Sequence, residues 1–184
     1  MNQTHVAAGV SLAAGVAVLV PESAPWVAAA GAVGGSLPDL DLLAGRHRRT
    51  LHFPAGYWLA AAPVATVAAL TGSPVAVWTA TLLAAAGVHA AGDALGAGNE
   101  LRPWERTSDE AVYLHVAGRW LRPRYVVRYD GAPEDVLVAA LAAVPALVTF
   151  DGAVRWALVA VLGSGLLYAL VRKRTVRYAE RFVD

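Results

Sequence analysis

Four of the chain's five histidines and three aspartates fall into short polar islands within a largely apolar sequence. His5 precedes the first apolar run. Asp39 and Asp41 lie in Gly35-Ser36-Leu37-Pro38-Asp39-Leu40-Asp41, His47 and His52 in His47-Arg48-Arg49-Thr50-Leu51-His52, and His89 and Asp93 in His89-Ala90-Ala91-Gly92-Asp93. Neutral imidazole and carboxylate are the donor set of zinc, manganese, iron or nickel. The chain has no cysteine, which excludes thiolate sites and disulfides. Seven such side chains exceed what one tetrahedral ion needs, so they would serve two ions, or one ion plus carboxylates that orient the imidazoles. A divalent ion held there would lower the pKa of its water to about 7 and polarise a phosphoryl or carbonyl oxygen.

Each island also has a plainer reading. His5 is a polar residue near a terminus, Pro38-Asp39-Leu40-Asp41 ends a helix, and the His47–His52 stretch with its arginines faces lipid headgroups. His89 and Asp93 resist this most, because i, i+4 spacing puts both on one helix face among Ala, Gly and Leu. Their plainer reading is a buried ion pair that fixes helix packing. There is no G-x-S-x-G nucleophile elbow and no glycine-rich phosphate loop.

The elements that must position these groups follow from composition. Of 184 residues, 57% are apolar and 16% charged, against about 25% charged in a soluble domain. Mean hydropathy is +0.49. Disorder is excluded by the apolar content, and a net charge of +1 sets up no whole-chain field that recruits nucleic acid. Apolar runs occupy residues 6–20, 25–37, 54–70, 74–95, 136–150 and 153–171. The third, fourth and sixth meet the length of about 17–25 residues that a spanning helix needs; the others are short. No Lys or Arg precedes the first run, so it does not read as a signal peptide.

Breaks at residues 21–25, 71–74 and 151–152 are tight turns built from Pro, Gly, Ser and Asp. Six crossings would place these turns on one side and both termini on the other. Of 15 Lys and Arg, only Arg155 then falls near the turns, and the positive-inside rule makes the terminal side cytoplasmic. A four-span version with the first two runs re-entrant keeps the same sidedness. Every His/Asp island lands on that cytoplasmic side. The expected fold is therefore all-α: a polytopic bundle of about six short helices in the plasma membrane, with a small cytoplasmic cap. Residues 1–98 carry helices 1–4 and the motifs, 99–135 the cap, and 136–184 helices 5–6 with a basic tail.

Within the cap, Thr107-Ser108-Asp109-Glu110 reads as a capping box that starts a short helix ending near Gly118. Residues 125–129 alternate weakly like a strand, and Asp130-Gly131 is a turn. Arg102, Trp104, His115 and Arg119 surround the expected mouth of the site and are candidates for holding a phosphorylated substrate. The plainer reading pairs the cap's arginines with its seven carboxylates at an anionic membrane surface. The tail from Arg172 to Arg177 reads as a headgroup anchor.

The order and spacing of these motifs resemble those of the YdjM-like inner-membrane-associated metal-dependent hydrolases, a group also described as LexA-binding. The resemblance covers residues 1 to about 104. It implies a helical membrane protein with a divalent metal centre, zinc first and manganese or iron next, and it maps the motif positions onto His5, Asp39, Asp41, His47, His52, His89 and Asp93. Of these, Asp39 and Asp41 are the candidates for a catalytic carboxylate. The reaction expected is hydrolysis of a phosphoester, such as a phospholipid, at the headgroup layer. The rivals are a non-catalytic membrane protein stapled by His/Asp pairs or a structural metal, and a proton or cation relay, which the apolar far half of the fourth run disfavours.

Overall fold

The computed structural model describes residues 1–179. Its main elements are six helices: α1 (Asn2–Leu19), α2 (Ala24–Ser36), α3 (Gly56–Thr71), α4 (Pro74–Gly92), α5 (Pro133–Thr149) and α6 (Gly152–Ala179). Each of the six apolar runs is one of these helices. Pro21–Ser23 forms a 3-10 turn between α1 and α2. Gly72 takes a left-handed conformation at the end of α3 (φ 66°), and the Ser73 side chain caps α4, whose first residue is Pro74. Gly152 (φ 55°) turns the chain from α5 into α6. Two segments, Pro74–Leu95 and Gly152–Val176, are long and apolar enough to cross a membrane; Gly56–Thr71 is apolar but shorter.

Helix α1 is the hub and packs against α2, α4, α5 and α6, while α2 and α3 each pack on α4. Its buried face is nearly all alanine and glycine, with Ala7, Ala13, Ala14 and Ala17 in the core and Val10 beside them. Small side chains let backbones approach closely. At the α1–α2 crossing, a methyl group on Gly9 would collide with the Gly31 carbonyl, and one on Gly31 with the Gly9 carbonyl. A Cβ on Gly35, at the end of α2, would lie 2.5 Å from the His5 carbonyl oxygen. These contacts hold the start of α1 against the end of α2, where the polar islands meet.

The cap departs from the sequence expectation. Val112–Leu114 (β1) and Arg119–Leu121 (β2) form an antiparallel hairpin, with Tyr113 opposite Trp120. The link is a 3-10 turn, His115–Ala117, ending at left-handed Gly118 (φ 61°). No helix starts at Thr107, because its amide and hydroxyl both donate to the Glu100 carboxylate, while Glu110 pairs with Arg46 at 2.6 Å. Residues 125–129 are not a strand; the amides of Tyr125, Val126 and Val127 donate to the carbonyls of Gly96 and Leu95. The turn at Asp130-Gly131 is present.

Because Gly31 meets backbone rather than a movable side chain, Gly31→Val overpacks the α1–α2 contact, at about 1–3 kcal/mol or more. The expected outcome is a clear fall in the thermal unfolding midpoint of the detergent-purified protein, whereas Gly15→Ala, with nothing within 4 Å of the added Cβ, leaves it unchanged.

Candidate metal centre

Four separate stretches of chain deliver the polar islands to one end of the bundle. His5 lies one turn into α1. Asp39 and Asp41 sit on the 3-10 helix Leu37–Leu42, which continues from α2. A 3-10 helix turns about 120° per residue, so side chains two apart point in different directions. His47 and His52 come from the loop before α3, and His89 and Asp93 from the end of α4.

The two aspartates consequently reach different nitrogens of His52. Asp41, fully buried, accepts from His52 Nδ1 through Oδ2 at 2.8 Å and from His47 Nδ1 through Oδ1 at 2.8 Å. The Leu51 amide also donates to Oδ2, at 3.3 Å. Asp39 Oδ1 lies on the other edge of the ring, 3.6 Å from His52 Nε2. His89 is fixed in the same manner: its Nδ1 donates to the Gly35 carbonyl at 2.6 Å, which leaves a lone pair on Nε2.

The free edges converge. His52 Nε2 is 3.1 Å from Asp93 Oδ2, and His89 Nε2 is 3.4 Å from Asp39 Oδ1 and 3.8 Å from Asp93 Oδ2. A tetrahedral cation with bonds of about 2.0–2.2 Å needs donor–donor edges of about 3.3–3.6 Å, and the four measured separations, 3.1 to 3.8 Å, bracket that range. His52 Nε2, His89 Nε2 and Asp93 Oδ2 are all buried without a hydrogen-bond partner, which native proteins rarely allow. Donor atoms of Asp39, His52 and His89 all lie within 4.8 Å of one another, as do those of His5, His89 and Asp93, so the donor set fits a divalent cation shared among Asp39, His52, His89 and Asp93. His5 stacks on His89, with ring centroids 3.8 Å apart, and its Nε2 lies 3.1 Å from Asp93 Oδ1. Asp93 thus offers one oxygen to His5 and the other to the cluster. His47 joins through Asp41.

The electrostatics favour a cation. Three carboxylates, Asp39, Asp41 and Asp93, gather here, and the guanidinium of Arg48 lies beside one of them, its Nε 3.8 Å from Asp93 Oδ2. Burial opposes ionisation of Asp39, but the imidazoles of His52 and His89 beside it outweigh burial and hold the carboxyl well below the usual range. Burial likewise opposes the charged form of His52, yet Asp39 and Asp93 outweigh it and push its pKa up to about 9. A cation at Nε2 competes with that proton.

A cavity of about 590 Å³ opens onto the cluster, lined by His5, Asp39, His47, Asp93, Arg48 and Arg172 among others. Arg102, Trp104, His115 and Arg119 do not line it. Arg102 pairs with Glu105, and Trp104 stacks edge-on with Tyr129 beneath Arg172 and Lys173. His115 packs on Phe53, and Arg119 is exposed on β2. Arg172 is not a surface anchor: it is buried, with Nε and Nη2 on the two oxygens of Asp130 at 2.9 and 3.1 Å. Arg177 and Arg181 lie beyond the described side chains. Sequence reasoning missed Arg48 as a site residue. Its backbone is left-handed (φ 59°), and Nη1 donates to the Ala97 carbonyl at 2.6 Å. The only signal was its place between two motif histidines.

Compared with known proteins, the chain matches no family model, and neither a curated protein nor a solved structure matches it.

Asn at position 41 would carry one acceptor where two imidazole N–H groups now donate. Asp41→Asn is expected to weaken zinc binding about 10–100-fold through loss of ring orientation, read by competition with a chromogenic chelator, with helix content unchanged by circular dichroism.

Proposed function

We propose that this chain is a multi-pass membrane protein with a divalent metal centre at its cytoplasmic end, of the YdjM-like type, and that it hydrolyses phosphoesters. The observation that carries the reading is a set of three buried, unpartnered donor atoms, His52 Nε2, His89 Nε2 and Asp93 Oδ2, with the carboxylate oxygen 3.1 and 3.8 Å from the two nitrogens. The membrane part rests on the two long apolar helices and on the large apolar side chains exposed around the bundle, among them Leu59, Leu70, Trp156, Leu167 and Leu170. These five are each 66% or more exposed, as side chains that face lipid would be. Orientation rests on the basic residues gathered at the end that holds the cluster.

A bound divalent cation supplies Lewis acidity, activating water and polarising a phosphoryl oxygen. The chain's own groups do the rest. His52, His89, Asp39 and Asp93 offer the donors, while Asp41 and the Gly35 carbonyl hold the two imidazoles in the required tautomer. Arg48 offsets part of the carboxylate charge and lines the cavity from which the phosphate enters. One water adds to phosphorus, the ester P–O bond breaks, and the departing alkoxide takes up the proton that the water gives up.

The second reading is a His/Asp staple without turnover, favoured by the five His–Asp contacts shorter than 3.5 Å. Metal analysis of detergent-purified wild type beside Asp39→Asn and His89→Ala separates the two. The hydrolase reading expects at least one zinc, manganese or iron per wild-type chain, loss of most of it in both variants, and loss of phosphatase or phosphodiesterase turnover with the fold retained. A wild type that carries less than one ion per chain in metal-replete medium overturns it. Collapse of the fold in His89→Ala beside a metal-poor wild type establishes the staple.

A further inference from the structure

The polar cavity at the cluster has an apolar neighbour. A second cleft, of about 210 Å³, lies between α4 and α5 with α1 as its floor. It exists because α4 and α5 both pack on α1 but scarcely on each other. The two spaces share His5, Arg48, Asp93 and Asp130 in their walls. The cleft therefore starts at the candidate centre.

Its lining changes along its length. At the centre's end stand Thr4, Asp93 and Asp135 under a roof of Leu95, Val126 and Val127, and Asp135 is already engaged: the Thr4 hydroxyl donates to Oδ1 at 2.6 Å, and the Gly131 amide and the Met1 ammonium lie 2.8 and 3.2 Å from Oδ2. One to two helical turns further in, the lining is Ala8, Val88, Val138 and Ala142. Position 142 lies seven residues beyond Asp135 on α5, about 10 Å along the axis. The sequence thus places a charged, cation-binding pocket over an apolar slot that points toward the middle of the bundle. In the topology proposed above, that gradient runs the same way as a lipid does, from headgroup to chain.

A soluble phosphoester would use the cavity and leave the slot unfilled. An amphiphile uses both. Resting on the hydrolase reading, we infer that the substrate is a membrane phosphoester whose phosphate sits by Asp39, Arg48 and Asp93 and whose hydrocarbon chain lies in the α4–α5 cleft against Ala8, Val88 and Ala142. Val138, 40% exposed at the cleft's outer edge, gives the chain a lateral way in from the bilayer. The groove between α5 and α6 is a less suitable slot, since none of its lining comes from the seven His and Asp residues of the cluster.

The absence of native cysteine allows a test that does not depend on turnover. Val88→Cys and Ala142→Cys are labelled with a maleimide in maltoside micelles, alone, with dodecyl phosphate or with inorganic phosphate; Val159→Cys in the α5–α6 groove is the comparison. Dodecyl phosphate is expected to slow labelling of both the Val88→Cys and the Ala142→Cys variants about fivefold or more, as burial of several methylenes requires, while inorganic phosphate leaves it unchanged and the Val159→Cys variant is unaffected. Unchanged labelling, equal slowing in Val159→Cys, or slowing by inorganic phosphate overturns the assignment. Retention of radiolabelled dodecyl phosphate is measured in parallel: Ala142→Trp, which fills the slot, is expected to lose it, and full retention by that variant also overturns the assignment. Metal content of the same preparations reports on the centre separately. Metal-replete protein without protection removes the chain site alone, and metal-poor wild type removes the reading beneath it.

Discussion

The structure is organised around one constraint: three carboxylates and four imidazoles share a small, largely buried volume, with the Arg48 guanidinium beside one of the carboxylates. Isolated, each buried charge would cost several kcal/mol. Here every carboxylate has at least one imidazole within 3.4 Å. Such an arrangement survives only if the backbone segments carrying it are held to within a fraction of an ångström. Gly35 does this twice over. Its missing side chain lets the start of α1 come against the end of α2, and its carbonyl accepts the Nδ1–H of His89 from α4. The alanine- and glycine-lined faces of α1 and α2 extend the same logic down the bundle, trading side-chain volume for close backbone approach.

The cap serves the loop that carries His47, Arg48 and His52. A lone two-stranded hairpin is marginally stable at best, and this one is tied down from below. The Tyr113 amide donates to the Arg48 carbonyl at 2.9 Å, and Asn99 Nδ2 to the His47 carbonyl at 3.2 Å. The Arg46 and Arg49 guanidiniums sit over Trp120 and Tyr113. The dependence is mutual: the loop anchors the hairpin, and the hairpin's hydrogen bonds stabilise the left-handed Arg48 backbone, a conformation that an arginine adopts only at some energetic cost. Within the cap itself Arg102, Arg122 and Arg128 pair with Glu105, Asp109 and Glu134, and Arg106 stacks over Tyr125.

All six helices were legible in the sequence, because each tight turn is marked by Pro, Gly or a capping Ser and each run is uniformly apolar. The seven His and Asp residues were legible too, since ionisable groups at the ends of apolar runs stand out against their surroundings. The cap was not. Thr107–Glu110 has the pattern of a capping box, but a competing acceptor, Glu100, lies seven residues upstream and takes the Thr107 amide and hydroxyl. A local pattern cannot reveal a non-local partner. The division of labour between Asp39 and Asp41 was hidden for a similar reason, as it follows from the 3-10 pitch of residues 37–42 rather than from the residue types. Arg172 looked like part of a basic tail because its partner Asp130 lies 42 residues away in the chain.

The staple reading and the metal reading make different demands on the same atoms. A staple that works by hydrogen bonding gains from every donor–acceptor pair that is aligned, so its imidazoles should spend both nitrogens on acceptors. On the outer edges that is what the structure has: His47 Nδ1, His52 Nδ1 and His89 Nδ1 all donate in hydrogen bonds of 2.6–2.8 Å. On the inner edges the pattern reverses. His52 Nε2 and His89 Nε2 approach carboxylate oxygens at 3.1 to 3.8 Å without aligned bonds. Two imidazoles locked by their outer nitrogens and left unpartnered on their inner ones resemble ligands oriented by neighbours more than a hydrogen-bonded brace. That asymmetry between the two nitrogens of one ring, rather than the number of histidines and aspartates, is the ground for preferring a cation at this end of the bundle.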